Sequence, residues 1–387
     1  MADAGARRGA GGRGGWRRRG RIAIRPCEGK ARGLARAAVG RIVMRRYGGM
    51  WMQRELVTRH DTSGGAQIYR LPLRVFPQMY GYAYVVVADD YAALIDTGSG
   101  LGDSDADLLA GFAALPDLGA RLAWPDLRRI VVTHAHIDHY GGLGAVRAQS
   151  AAPIAMHALD HRVITHHDER LALGARAIGD FLRYAGVDQA ERARLLRLHR
   201  GEKPQFISQP VAGLVEDGDL LDGVFRIFHA PGHAPGQICL QVDDVLLTAD
   251  HILPRASLFL SPERVMPATG LEHFLLSLTR VGNLPGVRLG LGGHDAPMDD
   301  LAGTARRLAD AQQRRLDQVR ELCRTPHTIA GLMQRLYANF GAYDELLAIQ
   351  KAGVYIEHLD RRGELAVVNS ADVAQHDAAP VFVMAGG

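Results

Sequence analysis

Apolar residues recur along the chain with two different periods, which predicts a mixed α/β protein. Segments in which apolar and polar residues alternate, or that run continuously apolar, indicate strands, and apolar residues three or four positions apart indicate helices. Strands are predicted at residues 67–76, 82–87, 92–96, 129–133, 153–157, 224–229, 237–242, 245–248 and 287–291. Helices are predicted at residues 105–115, 144–149, 171–185, 189–199 and 271–281.

The helical segments suggest how the chain is divided into domains. Residues 67–300 alternate strands and helices, and residues 158–205, rich in Ala, Leu and Arg, predict a helical insertion within them. Residues 301–369 predict a small C-terminal helical domain that ends in a turn and a short strand. Residues 1–66 predict a disordered basic segment, because they lack enough apolar surface to offset chain entropy. Residues 370–387 predict a loosely ordered tail.

The formal net charge of +4 is distributed unevenly. Residues 1–49 hold 13 Arg and one Lys against one Asp and one Glu, a net of +12 that leaves −8 for the rest of the chain. Phosphate binding needs basic charge on the folded surface, so nucleic acid is not the favoured partner. Residues 1–49 have three interpretations: translated upstream sequence before a start at Met50 or Met52, a disordered tail, or a targeting segment.

Hydropathy and cysteine usage restrict the cellular setting. The sequence has no run of about 18 apolar residues, so no membrane-spanning helix and no membrane partner are predicted. Cys27, Cys239 and Cys323 are odd in number and lack CxxC spacing. This usage indicates a reducing compartment without a disulfide framework, and hence a cytoplasmic protein.

Residue types that bind metals are concentrated after the predicted strand at 129–133. Four of them fall within six positions as HxHxDH, more than a single tetrahedral site uses, so two adjacent ions are predicted. Three further candidates follow later predicted strands, where a sheet scaffold commonly carries functional side chains. The complete set is His134, His136, Asp138, His139, His233, Asp250 and His294.

The order HxHxDH, then GH, then Asp, then GGH resembles the metallo-β-lactamase superfamily over residues 67–299. The resemblance implies an αββα sandwich. It implies that a first ion is bound by His134, His136 and His233, and a second by Asp138, His139 and His294. It also implies that Asp250 bridges both ions. Asp96, in the sequence Leu-Ile-Asp-Thr-Gly, is implied to support the ligands from behind.

A looser resemblance covers residues 250–255 and 301–369. These residues are similar to a branch of the superfamily with a C-terminal winged-helix-like domain. The branch includes bacterial glyoxalase-II-like hydrolases and the animal β-lactamase-like protein 2, an endoribonuclease. It implies that residues 301–369 are such a domain.

A two-ion site predicts a metal-dependent hydrolase in which hydroxide held between the ions attacks a carbonyl or phosphoryl centre. Asp138 or Asp250 could accept the proton. Nitrogen and carboxylate donors suit Zn²⁺, and iron or manganese also fit. Tyr140, His251 and Arg255 stand close to ligands in the sequence and are candidates for substrate contact, although Tyr140 could equally pack in the core.

Three functions are compatible with this site. The first is hydrolysis of a small ester or thioester, such as an acyl-thioester, a hydroxyacylglutathione-like compound or a lactone. An apolar substrate pocket could then be formed by Leu171, Ile178, Phe181 and Leu182, or these four residues could instead pack as core. The second is cleavage of RNA by an endoribonuclease or phosphodiesterase, but residues 305–369 hold 10 Lys and Arg against 8 Asp and Glu. The third is a non-catalytic or regulatory role. The C-terminal domain could pack against the body or form a homodimer.

Overall fold

Two β-sheets form the centre of the structure, and helices cover the outer face of each. The computed structural model describes residues 44–47, 50–53, 56–201, 206–255, 258–337 and 342–386. All of these residues belong to one unit, Ala38–Gly387.

The strands and helices follow the predicted order. The strands are β1 (Met44–Tyr47), β2 (Met50–Gln53), β3 (Thr58–Asp61), β4 (Gln67–Phe76), β5 (Met79–Ala88), β6 (Tyr91–Ile95), β7 (Arg129–Val131), β8 (Ile154–His157), β9 (Gly213–Val215), β10 (Leu220–Leu221), β11 (Phe225–His229), β12 (Ile238–Val242), β13 (Val245–Ala249), β14 (Leu289–Gly292), β15 (Leu365–Val367) and β16 (Phe382–Met384). The helices are α1 (Ser104–Ala113), α2 (Ile137–Tyr140), α3 (Leu143–Arg147), α4 (His161–Thr165), α5 (His167–Tyr184), α6 (Gln189–Gly201), α7 (Leu271–Gly282), α8 (Leu301–Leu322), α9 (Ile329–Leu336), α10 (Ala342–Arg361) and α11 (Ser370–His376).

The larger sheet has seven strands in the order β3-β4-β5-β6-β7-β8-β9, and the smaller has five in the order β10-β11-β12-β13-β14. The first four strands of the larger sheet are antiparallel, and β6, β7, β8 and β9 run parallel. In the smaller sheet only the β13–β14 pair is parallel. The parallel strands β7 and β14 lead directly into predicted ligand segments.

Alternation along the strands separates the core into layers. In β6, Ala93 and Ile95 face the smaller sheet, whereas Leu94 packs with α1 and α3 on the outer face. The inner layer also contains Phe225 and Leu240 of the smaller sheet. Because successive strand residues point to opposite faces, each strand contributes to two cores. The result is four layers: helix, sheet, sheet, helix.

The insertion and the C-terminal helices share one core on the outer face of the smaller sheet. Ile178, Phe181 and Leu182 of α5 are buried there beside apolar residues of α9 and α10. Of the two alternatives for these residues, a substrate pocket or core packing, the structure supports core packing for these three, whereas Leu171 is half-buried and lies outside this core.

Two predicted boundaries need correction. Residues 1–66 are not disordered throughout, since β1 pairs with β2 and β3 joins β4 in the larger sheet. Residues 1–43, 48, 49, 54 and 55 lie outside the described residues. The tail at 370–387 is not loose either, because it contains α11 and because β16 pairs with β15 and exchanges backbone hydrogen bonds with His327.

None of the helices in the described ranges combines the length and the apolar composition that a membrane span requires.

Candidate metal centre

Each predicted ligand lies in the chain that follows a strand. His134 and His136 follow β7, and α2 carries Asp138 and His139. The remaining ligand candidates follow β11, β13 and β14. The structure brings all seven side chains together in two neighbouring groups. The groups are His134, His136 and His233, and Asp138, His139, Asp250 and His294, and the donor atoms within each lie within 4.8 Å of one another.

The first group consists of three imidazoles. His134 Nε2 lies 3.1 Å from His136 Nδ1, and His136 Nδ1 lies 2.8 Å from His233 Nε2. Ligand nitrogens about 2.0–2.1 Å from a tetrahedral zinc ion are themselves separated by roughly 3.3 Å. The observed spacing of the nitrogens is therefore close to that of zinc ligands.

The second group combines carboxylates with imidazoles. His294 Nε2 lies 3.3 Å from Asp138 Oδ2 and 3.4 Å from Asp250 Oδ2. Asp250 Oδ1 lies 3.4 Å from His139 Nε2, and its Oδ2 lies 3.7 Å from His233 Nε2 of the first group. The Asp250 carboxylate thus faces both groups, which is the position that a bridging ligand requires.

Hydrogen bonding tests whether these residues fit metal ions. His139 Nε2 and Asp250 Oδ1 are buried, yet neither has a hydrogen-bond partner among the described residues. Buried polar atoms are normally paired, so a buried nitrogen and oxygen that face each other without a hydrogen bond suit a bound cation. The second group offers two imidazoles and two carboxylates, one of which also faces the first group. Divalent ions bind ligands of these types. The residues fit two ions.

Electrostatics keeps the first group in its ligand form. Burial lowers the pKa of His134, His136 and His233, and that of His136 falls to about 3. Neighbouring histidines lower the pKa of His134 and His136 further. The three rings are therefore neutral at pH 7, and neutral imidazole is the form that binds metals.

The second group holds charge instead. Burial disfavours imidazolium at His139 and His294, but nearby carboxylates, Asp250 foremost, outweigh burial and raise both pKa values well above the ordinary range. Burial likewise disfavours the Asp138 carboxylate, but His139 and His294 lower the pKa of Asp138 to about 2. In the metal-free protein, the positive charges of the two protonated imidazoles therefore balance the negative charges of the neighbouring carboxylates.

The rings are oriented by hydrogen bonds on the nitrogen that faces away from the site. His139 Nδ1 donates to Asp96 Oδ2 at 2.7 Å, and His294 Nδ1 donates to the Tyr80 carbonyl at 2.7 Å. His233 Nδ1 donates to the Phe259 carbonyl at 2.7 Å. Each bond leaves Nε2 free to bind a metal and fixes the plane of the ring.

The segment that carries Phe259 is bonded to the C-terminal helix α10. Ser261 Oγ donates to Gln350 Oε1 at 3.0 Å, and both side chains are buried. The Glu357 carboxylate accepts the backbone N–H groups of Glu263 and Arg264 at 2.7 and 3.1 Å. Helix α10 therefore supports the segment that orients a ligand.

Glycines allow the ligand segments to approach closely. A Cβ at Gly293 would lie 2.3 Å from Asp250 Oδ1 and 2.8 Å from His139 Cε1. Gly232 has a φ of 130°, and a Cβ there would lie 2.4 Å from the Cα of Phe274. Only glycine fits at either position.

Two of the three predicted substrate contacts lie away from solvent. Tyr140 is buried against Phe206, with its hydroxyl 3.3 Å from His167 Nδ1, and so packs in the core. His251 is fully buried beside Phe274. Both side chains are buried, and Tyr140 has the core packing that the sequence allowed as the alternative to substrate contact. Arg255 is exposed, and its backbone N–H donates to Asp295, the neighbour of His294.

Sequence reasoning missed three groups that support the ligands. Asp160 accepts hydrogen bonds from the backbone of both ligand segments of the first group. The Phe259 and Tyr80 carbonyls orient His233 and His294. A backbone carbonyl carries no side-chain signal, and Asp160 stands apart from every ligand in the sequence.

Comparison with known protein families decides the classification. A family model described as metallo-beta-lactamase superfamily matches residues 77–320, well over half of the chain. The chain belongs to the metallo-beta-lactamase superfamily. The four-layer arrangement of helix, sheet, sheet and helix confirms the αββα sandwich expected of a superfamily member, and a helical region follows it at the C-terminus.

Two solved structures share the superfamily fold over most of the chain. A metallo-beta-lactamase family protein from Thermus thermophilus aligns with a TM-score of 0.64 and 24% identity, covering 82% of this chain and 98% of that one. A beta-lactamase domain protein from Burkholderia ambifaria aligns with a TM-score of 0.67 and 21% identity, covering 85% and 94%. At these identities the likeness concerns the fold.

A curated relative provides a more local match. Hydroxyacylglutathione hydrolase from Anaeromyxobacter dehalogenans (strain 2CP-C) is 30% identical over 171 residues. The match covers 44% of this chain and 45% of that protein, so it spans less than half of the relative's length.

Proposed function

We propose that this protein is a hydrolase that binds two divalent metal ions in the two ligand groups and cleaves a small ester or thioester. The observation that carries the proposal is the convergence of seven donor side chains, five of them buried and His136 and Asp138 half-buried, with Asp250 placed between the groups. Zinc is the proposed metal, because imidazole and carboxylate donors suit it, and iron or manganese would fit the same donors.

The two ligand groups would hold cations whose Lewis acidity would polarise a carbonyl oxygen and make water acidic enough to provide hydroxide at neutral pH. The side chains supply position and proton transfer. Asp250 Oδ1 lies 3.4 Å from His139 Nε2, and Asp250 Oδ2 lies 3.4 Å from His294 Nε2, so this carboxylate is proposed as a metal ligand. Asp138 contacts the second group through Oδ2, which leaves its Oδ1 as the proposed proton acceptor.

The choice of an ester over a phosphodiester rests on two features. The relative with 30% identity is a hydroxyacylglutathione hydrolase, whose name describes thioester cleavage. In addition, two arginines of the C-terminal region are paired with carboxylates: Arg320 with Glu364 at 2.7 Å and Arg324 with Glu321 at 2.9 Å. Paired cations attract a phosphate backbone less strongly than unpaired ones.

Arg255 is the proposed contact for an anionic end of the substrate. Its backbone N–H donates to Asp295 Oδ2 at 2.9 Å, one residue from His294. This bond places Arg255 at the edge of the second ligand group, and the residue is exposed. A guanidinium there could form a bidentate pair with a substrate carboxylate.

The test is a substrate panel with metal-loaded protein. Full-length protein loaded separately with Zn²⁺, Mn²⁺ and Fe²⁺ is assayed on S-lactoylglutathione, a short acyl-thioester, a lactone and single-stranded RNA. We expect thioester or ester hydrolysis that is lost in His134→Ala and retained in His166→Ala, a matched change at an exposed histidine outside both ligand groups.

Two outcomes would contradict the proposal. RNA cleavage that depends on His134, without turnover of any ester or thioester, would replace the substrate class with RNA. Equal thioester hydrolysis by His134→Ala and the unchanged protein would remove the ligand groups from the reaction.

A further inference from the structure

A buried carboxylate outside the ligand groups joins the two chain segments that carry the first group. Asp160 lies between β8 and α4, at the start of the insertion, and only 2% of its surface is exposed. Asp160 Oδ2 accepts the Ala135 N–H at 2.9 Å, and Asp160 Oδ1 accepts the Gly236 N–H at 2.8 Å. One carboxylate therefore bonds to both segments, one oxygen to each.

The two backbone N–H groups that donate to Asp160 belong to residues close to metal ligands in the sequence. Ala135 stands between His134 and His136, so its peptide group sets the relation of those two ligands. Gly236 follows His233 by three residues in the loop that leads to β12. The three imidazoles of the first group come from two separate segments, and Asp160 fixes the distance between those segments.

Packing at Gly236 shows how closely the carboxylate fits. A Cβ at Gly236 would lie 2.7 Å from Cγ and 2.8 Å from Cβ of Asp160. A larger residue would displace the carboxylate from the loop. The absence of a side chain at this position thus allows Asp160 to reach the Gly236 N–H.

The cost of burying this carboxylate indicates that its position matters. Isolated buried charges are unfavourable, and hydrogen bonds from backbone N–H groups offset only part of that cost. Among the described residues, the hydrogen bonds that the Asp160 carboxylate accepts come from the two ligand segments, so the buried charge stabilises the arrangement of these segments relative to each other.

We propose that Asp160 is a positioning residue for the first metal ion, holding the His134–His136 segment and the His233 loop at the separation that their three nitrogens need. This inference rests on the proposed metal centre. If Asp160 loses one of the two hydrogen bonds that its carboxylate accepts, the two segments can move apart. The three ligand nitrogens then no longer lie close enough together to bind one ion. Supporting groups behind metal ligands typically change metal affinity by about tenfold to a hundredfold.

The test measures metal binding directly, without substrate. Metal-free Asp160→Asn and Asp160→Ala are titrated with Co²⁺, followed by visible absorption, and with Zn²⁺ by calorimetry. The matched control is Asp188→Asn. Asp188 caps α6 by accepting the N–H groups of Ala190 and Glu191 at 3.0 Å, so it makes the same kind of bonds away from the ligands. Asparagine serves equally well as a helix cap.

We expect Asp160→Asn to weaken binding of one of the two ions by about tenfold, and Asp160→Ala to weaken it more. We expect the absorption spectrum of the first-bound Co²⁺ to change in both variants, because the ligand geometry changes. The Asp188→Asn control should match the unchanged protein in both measurements. Circular dichroism of each metal-free variant separates a shifted ligand geometry from a failure to fold.

The outcome that overturns the inference is distinct from failure of the proposed function. If the unchanged protein binds two ions and folded Asp160→Asn binds both with unchanged affinity and spectrum, Asp160 has no positioning role. If the unchanged protein binds no metal, the proposed metal centre itself is wrong. If Asp160→Ala fails to fold, the comparison of Asp160→Asn with Asp188→Asn still decides.

Discussion

The carboxylate of Asp96 accepts a hydrogen bond from His139 Nδ1 at 2.7 Å, and it also accepts the backbone N–H and the hydroxyl of Thr133, both at 2.8 Å. Asp96 therefore fixes a ligand of the second group and, through Thr133, the residue that precedes His134. Its φ of 60° lies in the left-handed region, which Asp and Asn adopt more readily than other residues with side chains.

Asp96→Asn tests the support of His139. Asn tolerates the left-handed backbone but cannot accept all three hydrogen bonds, so the His139 ring should lose its fixed orientation. We expect the second metal ion to bind at least about tenfold more weakly, measured by calorimetric titration with Zn²⁺. Asp89→Asn is the control, since exposed Asp89 has a φ of 52°. Equal losses in both variants would show that the effect is not specific to His139.

The ligands were predictable because they are side chains in a compact motif at strand ends. His134, His136, Asp138 and His139 lie within six positions, and hydrophobic alternation located the strand before them. Asp160 could not be found in this way, because its role depends on tertiary contacts with Ala135 and Gly236, distant in the sequence.

The errors at the chain ends have a related cause. Residues 58–61 and 382–384 are short strands, which sequence periodicity detects poorly, and each is paired with a neighbouring strand that its own sequence does not reveal. The burial of His251 could not be predicted either, whereas core packing of Tyr140 was one of two alternatives. Neighbours of a ligand in the sequence can point into the core on the opposite side of the chain, as these two do.

Metal binding should release protons. Because nearby carboxylates raise the pKa of His139 and His294 well above 6.5, both rings carry a proton at pH 7 without metal. We expect about two protons to leave when both ions bind, since ligands must be deprotonated. Calorimetry in buffers of different ionisation enthalpy measures this number. Release of no protons at pH 7 would contradict the charge state of the second group.

The same groups set a stability trend in the metal-free protein. A histidine whose pKa is higher in the folded than in the unfolded state stabilises the fold. This stabilisation is complete below the unfolded-state pKa near 6.5, and it is lost as the pH rises through the folded-state pKa. We expect His294→Gln to flatten the fall in stability of the metal-free protein above pH 6.5. Urea unfolding at a series of pH values tests this, and an unchanged slope would argue against it.

Arg255→Ala should affect recognition of charged substrates. Removal of the guanidinium should raise KM for a carboxylate-bearing thioester severalfold, while kcat and the KM for an uncharged ester stay the same. Arg176→Ala, at an exposed position of α5, is the control. A KM that rises equally for charged and uncharged substrates would exclude an ionic contact at Arg255.

Gly353→Ala tests the packing of α10 on the insertion. A Cβ there would lie 2.5 Å from Cζ of buried Phe181 and 3.1 Å from Cγ of Pro262. We expect a loss of about 1–3 kcal/mol in the free energy of unfolding, because overpacking forces the ring aside. Gly174→Ala in α5 is the control: no atom lies within 4 Å of its added Cβ, so it should gain up to about 1 kcal/mol. Equal effects would contradict this packing.

The most direct test of the central claim is the number of metal ions that each chain binds. Metal-free protein is dialysed against Zn²⁺, and bound zinc is determined by elemental analysis for the unchanged chain, His136→Ala and His294→Ala. The account predicts two ions per chain and a lower content in each variant, since each lacks a ligand of a different group. Only trace zinc in the unchanged chain, or two ions retained in both variants, would contradict it.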